Sequence, residues 1–144
     1  MTSLVIDASV TAKWFLPAAG EPLSREATLL FKRYAQGELR LLVPDLYWTE
    51  LTNIFWKAVR QGRWSQSEGV RAGKAALELR MITFSARPLL EDAFTLACTF
   101  NRTVYDSLYV TLAIVTDTQL VTADERLANA LAAHFPVKWL GSVV

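Results

Sequence analysis

The sequence is short of the residues on which many small enzymes and secreted domains depend. It has one cysteine, Cys98, so no disulfide can form within the chain and a disulfide-stapled scaffold is excluded. Cys98 lies in the apolar stretch from Phe94 to Phe100 and is expected to be a small buried hydrophobe, consistent with a reducing compartment. The single histidine, His134, has no second His or Cys nearby. That leaves little for a zinc site, a Ser–His or Cys–His nucleophile, or histidine acid–base chemistry. The longest strongly apolar run, around Leu108 to Val115, is far shorter than the roughly 20 residues that span a bilayer, so no membrane role is expected. The opening residues Met1–Asp7 lack the basic region and long apolar core of a signal peptide, and a cytoplasmic protein is expected. Charge of either sign is barely in excess: 15 Lys and Arg face 14 Asp and Glu. Net charge therefore neither suggests nor excludes a nucleic-acid partner, and the distribution of charge must decide.

What is present is core material. Of 144 residues 52% are hydrophobic, five of them Trp, which suits one domain over residues 1–144 with a sizeable core. Short apolar runs at Ser3–Ile6, Leu41–Val43, Met81–Phe84, Gln119–Thr122 and Val137–Leu140 read as strands. Between them, helical spacing or helix signals mark Ala8–Leu16, Ser24–Gln36, Asp45–Gln61, Ser65–Leu79, Pro88–Phe100, Asp106–Val115 and Asp124–Ala133. Ser65 and Glu68 form a capping-box pattern, and Asp106–Val115 is apolar enough to be buried all round. Strands alternating with helices imply an α/β fold, a central parallel sheet with helices on both faces. No repeat, linker or low-complexity segment interrupts it.

Ligands of open α/β sheets bind beyond the carboxyl ends of the strands. Asp7 ends the first strand, Asp124 follows the fourth, Asp106 opens the buried helix, and Glu50 lies one to two turns into the helix after Leu41–Val43. All four could meet at one end of the sheet. Each aspartate alone has an ordinary explanation as a helix cap. Glu50 has less of one: it sits at the margin of an apolar stripe beside Tyr47 and Ile54, with a surface salt bridge to Lys57 as its alternative use. Taken together, four carboxylates would repel one another, and a divalent cation removes that cost. Mg²⁺ and Mn²⁺ take oxygen ligands, keep waters, and can activate water against a phosphodiester.

These same residues carry a family resemblance. Val5-Ile6-Asp7-Ala8-Ser9-Val10 with Lys13-Trp14-Phe15 resembles the opening of a PIN domain of the VapC toxin type. The segment Pro44–Asn53, containing Glu50, resembles the family's second motif; Tyr105–Ala113, with Asp106, its third; and Leu120–Leu127, with Asp124, its fourth. The four stand in family order from Val5 to Leu127, and Val137–Leu140 fits the closing strand. Ser107 departs from the pattern, which usually has Ala after the aspartate. The resemblance implies a Rossmann-like PIN fold and Mg²⁺- or Mn²⁺-dependent endoribonuclease activity. It also implies a homodimer and an antitoxin partner. Asp7, Asp106 and Asp124 would hold metal directly or through water, and Glu50 would bind a second metal or orient the attacking water. Ser9 and Thr122 would support these acids by hydrogen bonds or be ordinary residues at strand and helix ends, and Asn53, one turn beyond Glu50, would line the same cleft or be a plain polar helix position.

Between Lys57 and Arg80 the cations Lys57, Arg60, Arg63, Arg71, Lys74 and Arg80 outnumber Glu68 and Glu78. That region is either a wall for an RNA backbone or a solvated helical face. Trp56 and Trp64 within it would stack on bases or pack in a core or dimer. A toxin would also need a surface for its antitoxin, whose amphipathic segment could fill a groove, and the sequence does not single out the helix that receives it. Other acidic α/β modules fit less well. An aspartate-nucleophile phosphatase needs a second aspartate where Asp7-Ala8-Ser9 has none, and a receiver module lacks its acceptor aspartate after Met81–Phe84, although Lys138 could stand for its lysine. A PIN fold that only binds RNA or protein is the remaining alternative.

Overall fold

A computed structural model describes residues 1–143. Strand β1 (Thr2–Ile6) leads to a short helix α1 (Ala8–Ala12), and helix α2 (Ser24–Ala35) precedes β2 (Leu39–Pro44). Helices α3 (Leu46–Arg60) and α4 (Gln66–Leu77) follow, then β3 (Ile82–Phe84), α5 (Leu90–Phe100) and α6 (Val104–Val115). Strand β4 (Gln119–Thr122), helix α7 (Glu125–Leu131) and β5 (Val137–Trp139) complete the order. The five strands form one sheet in the order β3-β2-β1-β4-β5, parallel throughout. Parallel strands need crossovers, and the helices supply them.

Both faces of the sheet are covered. Leu41 to Pro44 are buried in succession, as are Leu4 to Ile6 and Leu120 to Thr122. Such unbroken burial requires helices above and below. Helix α6 lies against β1, β2 and β4, while α2 and α3 pack on β2 and α1 packs on both α3 and β4. Inside this frame Tyr47 is fully buried, and its hydroxyl donates to Thr11 at 3.0 Å, so a polar group deep in the core is satisfied.

Several expectations are corrected. Helix α1 stops at Ala12 rather than Leu16. Lys13, Trp14 and Phe15 donate three residues back, to Val10, Thr11 and Ala12, so the chain tightens into turns as it nears Pro17. Helix α6 begins at Val104, two residues before Asp106, because Thr103 is its cap and accepts from the Asp106 N–H at 3.1 Å. Asp106 is therefore not a helix cap, and its carboxylate is left for other work. Cys98 is exposed, not buried. The inward face of α5 is set by Ala93, Leu96 and Ala97, which turns Cys98 outward on the side that also exposes Phe94. Trp64 is a core residue against Phe55, whereas Trp56 is 53% exposed.

Candidate active site

The strand order reverses between β1 and β4: β2 and β3 extend the sheet on one side and β5 on the other. A crevice opens outside the carboxyl ends of the strands at such a point. Asp7 immediately follows β1 there, and Asp124 lies two residues beyond Thr122, the last residue of β4. Helices α3 and α6 bring Glu50 and Asp106 to the same place. The four carboxylates line one cleft of about 160 Å³.

Each acid is held differently. Asp7 caps α1, accepting from the Val10 N–H at 3.3 Å and from the Ser9 hydroxyl. Asp124 caps α7, accepting from the Arg126 and Leu127 N–H groups at 3.0 and 3.2 Å. Thr122 is fully buried between them; its hydroxyl accepts from the Asp124 N–H at 3.0 Å and also acts on Asp7. Glu50, half-buried, accepts at 2.6 Å from the hydroxyl of Tyr109 on α6. It makes no pair with Lys57 among the described residues.

Burial raises the pKa of Asp7, although Ser9, Thr122 and the Val10 N–H offset part of the rise and the charge of Asp106 adds to it. Burial likewise raises Glu50, with Asp7 and Asp106 adding repulsion against the Tyr109 bond. Asp106 is raised by burial and then by Asp124, opposed by Arg102. Asp7, Glu50 and Asp106 thus each feel another carboxylate, and among the described residues no Lys or Arg lines the cleft. This is an oxygen donor set with unbalanced negative charge, the chemistry that fits a hard divalent cation. Among the described residues no three His, Cys, Asp or Glu side chains close into a ready-made cage.

Ser9 and Thr122 line the cleft, but Asn53 does not. It lines a neighbouring groove with Trp48, Trp56 and Leu77, and Ile54, four residues after Glu50, takes the cleft-facing side of α3 instead. The basic residues also separate. Arg63 is held by Glu21 at 3.0 Å, which also takes Lys13 at 2.9 Å. Burial works against charge on Glu21, yet these two cations prevail and lower its pKa. Arg60 lies over the Trp56 ring at 5.4 Å. Lys57, Arg71 and Lys74 form no ion pair among the described residues. Ser107 is fully buried and outside the cleft lining, and its hydroxyl has no hydrogen-bond partner among the described residues.

Two residues went unnoticed in the sequence. Tyr109 stands three positions after Asp106 on one helix, a spacing that puts both on one face and could have flagged it. Arg102 donates to the Arg126 carbonyl at 2.9 Å and acts on Asp106. Its place depends on the left-handed turn at Asn101, and an Asn just past a helix is the sequence sign that could have found it.

A five-stranded parallel sheet with an acidic crevice at its switch point is the architecture of a PIN domain. The chain belongs to that family: the PIN domain model matches residues 4–131. Within it the similarity is to VapC proteins. The chain is 33% identical over 132 residues to Ribonuclease VapC3 of Pyrobaculum aerophilum, covering 90% of this chain and 95% of that one. The crystal structure of another Pyrobaculum aerophilum protein superposes with a TM-score of 0.71 at 22% identity, over 99% of this chain and 86% of that one. Mycobacterium tuberculosis VapC20, described as a Sarcin-Ricin loop cleaving toxin, superposes with a TM-score of 0.65 at 16% identity, over 92% and 95%. At those identities the two structures speak to the fold.

Proposed function

We propose that residues 1–144 act as one PIN domain, a divalent-metal-dependent endoribonuclease that hydrolyses RNA as the toxin of a toxin–antitoxin pair. The observation that carries this reading is the convergence of Asp7, Glu50, Asp106 and Asp124 on a single cleft that no cationic side chain lines. The relative named as a ribonuclease supports the RNA substrate, and the resemblance of the four acidic motifs to the VapC toxin type supports the biological role. A toxin of this kind calls for a cognate antitoxin protein. Homodimerisation and a cytoplasmic site of action complete the reading. No helix among the described residues is long and apolar enough to cross a membrane.

Asp7, Asp106 and Asp124 would hold Mg²⁺ or Mn²⁺, directly or through water, and Glu50 would take a second ion or orient the attacking water. A bound cation supplies Lewis acidity toward the phosphodiester and eases loss of a proton from water. The chain's own contribution is placement. Ser9 and the Val10 N–H hold the Asp7 carboxylate and two helix N–H groups hold that of Asp124, while Thr122 accepts from the Asp124 backbone N–H. An open set of carboxylates suits an ion that keeps several waters. Glu50, whose charge is disfavoured by burial, is suited to take a proton from the attacking water.

Asp7→Asn tests this directly. Asn keeps the capping oxygen and removes the charge, so the variant should fold normally and lose Mn²⁺-stimulated cleavage of cellular RNA. Full activity in that variant, or in excess chelator, would sink the reading.

A further inference from the structure

The acids of the cleft are not equally constrained. Asp7 and Asp124 are short side chains pinned by backbone N–H groups at helix starts. Glu50 has a longer, more flexible side chain and stands inside α3, where no free N–H group is at hand. Its one hydrogen-bond partner among the described residues is the Tyr109 hydroxyl, at 2.6 Å from Oε1. The Tyr109 ring is 3% exposed, so packing fixes where the hydroxyl sits. One phenol oxygen thus holds Glu50, while the helix that carries it supplies Asp106 to the same cleft.

We infer that Tyr109 is a positioning residue for the reaction: its hydroxyl engages Glu50 Oε1 and so presents Oε2 to the cleft. This rests on the nuclease reading above. Tyr109 is not a metal ligand and touches no reacting atom; it acts through Glu50 alone. Groups that orient an acid in this way typically matter about 10- to 100-fold. Because Tyr109 works only through Glu50, its loss should cost nothing further once Glu50 is disabled.

The test is a double-mutant cycle of Tyr109→Phe and Glu50→Gln in RNA cleavage, joined to NMR of the Glu50 side-chain carboxyl carbon in metal-free protein. Phe keeps the packed ring and deletes one oxygen, and melting curves confirm the fold. Y109F is expected to lower kcat about 10- to 100-fold with KM changed less than about threefold. Added to E50Q, it should cost less than about threefold more. The Glu50 carboxyl signal should move in Y109F toward that of a mobile glutamate. Wild-type kcat in Y109F, losses that multiply in the double variant, or an unmoved carboxyl signal would each overturn the inference. A wild-type protein that cleaves no RNA would defeat the nuclease reading instead, and the carboxyl signal would then judge the Tyr109–Glu50 contact by itself.

Discussion

Asp7 shows how one residue can serve a fold and work against it. Its carboxylate caps α1, yet burial and the charge of Asp106 raise its pKa. Glu50 and Asp106 are raised as well. A carboxyl whose pKa is higher in the folded than in the unfolded state contributes stability below the unfolded value, about 4. That contribution is lost as pH rises through the folded value. The metal-free protein should therefore melt at a higher temperature as pH falls from neutrality toward the acids' raised pKa values. At pH 7 in chelator, Asp7→Asn should melt above the wild type, and the gap should close in mild acid. Thermal melts at several pH values check both the sign and the window. Ser107 makes the opposite case, a polar group with no use in the cleft. Its hydroxyl is buried without a partner among the described residues, so Ser107→Ala should stabilise the protein by about 0.5–1.5 kcal/mol. Urea unfolding measures this, and RNA cleavage should be unchanged.

Among the elements, α6 does the most to build the cleft. Val104 to Ala113 runs largely buried beneath it and delivers both Asp106 and Tyr109. Its start depends on Thr103. Thr103→Ala should cost about 1 kcal/mol in urea unfolding and should lower cleavage more than that loss of stability accounts for, since the first turn carries Asp106. This is also the element whose start was least legible. The run from Asp106 to Val115 announces a buried helix, but Asp and Thr are both good caps, and a sequence does not say which of two candidates three residues apart will be used. Strands were easier to read because a parallel sheet leaves unbroken apolar runs. The acids at strand ends were legible for the same reason, since a strand's end fixes a position in space. Glu50 could be placed on α3, but its partner could not, because Tyr109 arrives from another helix. Cys98 was misread because an apolar neighbourhood in sequence says little about which side of a helix faces inward; Ala93, Leu96 and Ala97 decide that.

Across the whole molecule, charge is sorted rather than spread. The cleft is acidic, while the cations of α3, α4 and the turn between them divide into tied and free. Arg63 belongs to a cluster with Glu21 and Lys13 that fastens the Pro17–Leu23 loop to the start of α4, whereas Lys57 is exposed and unpaired among the described residues. The two should therefore fail differently when neutralised. Lys57→Gln should leave stability unchanged, weaken RNA binding and reduce the slope of log affinity against log salt by about one. Arg63→Gln should instead lower the melting temperature and leave that slope nearly unchanged. Filter binding over a salt series, with parallel melts, separates the two.

The strand order has a consequence in time as well as in space. Asp7 and Asp124 come from near opposite ends of the chain, on strands that are neighbours in the sheet. Closing such a long loop is slow, and a sheet built of parallel crossovers is slow throughout. No helical hairpin or early collapsed half of the molecule can hold all four acids. When the denatured protein is returned to native conditions, helical signal should recover first. Nuclease activity should return only with the last phase, when β4 docks beside β1.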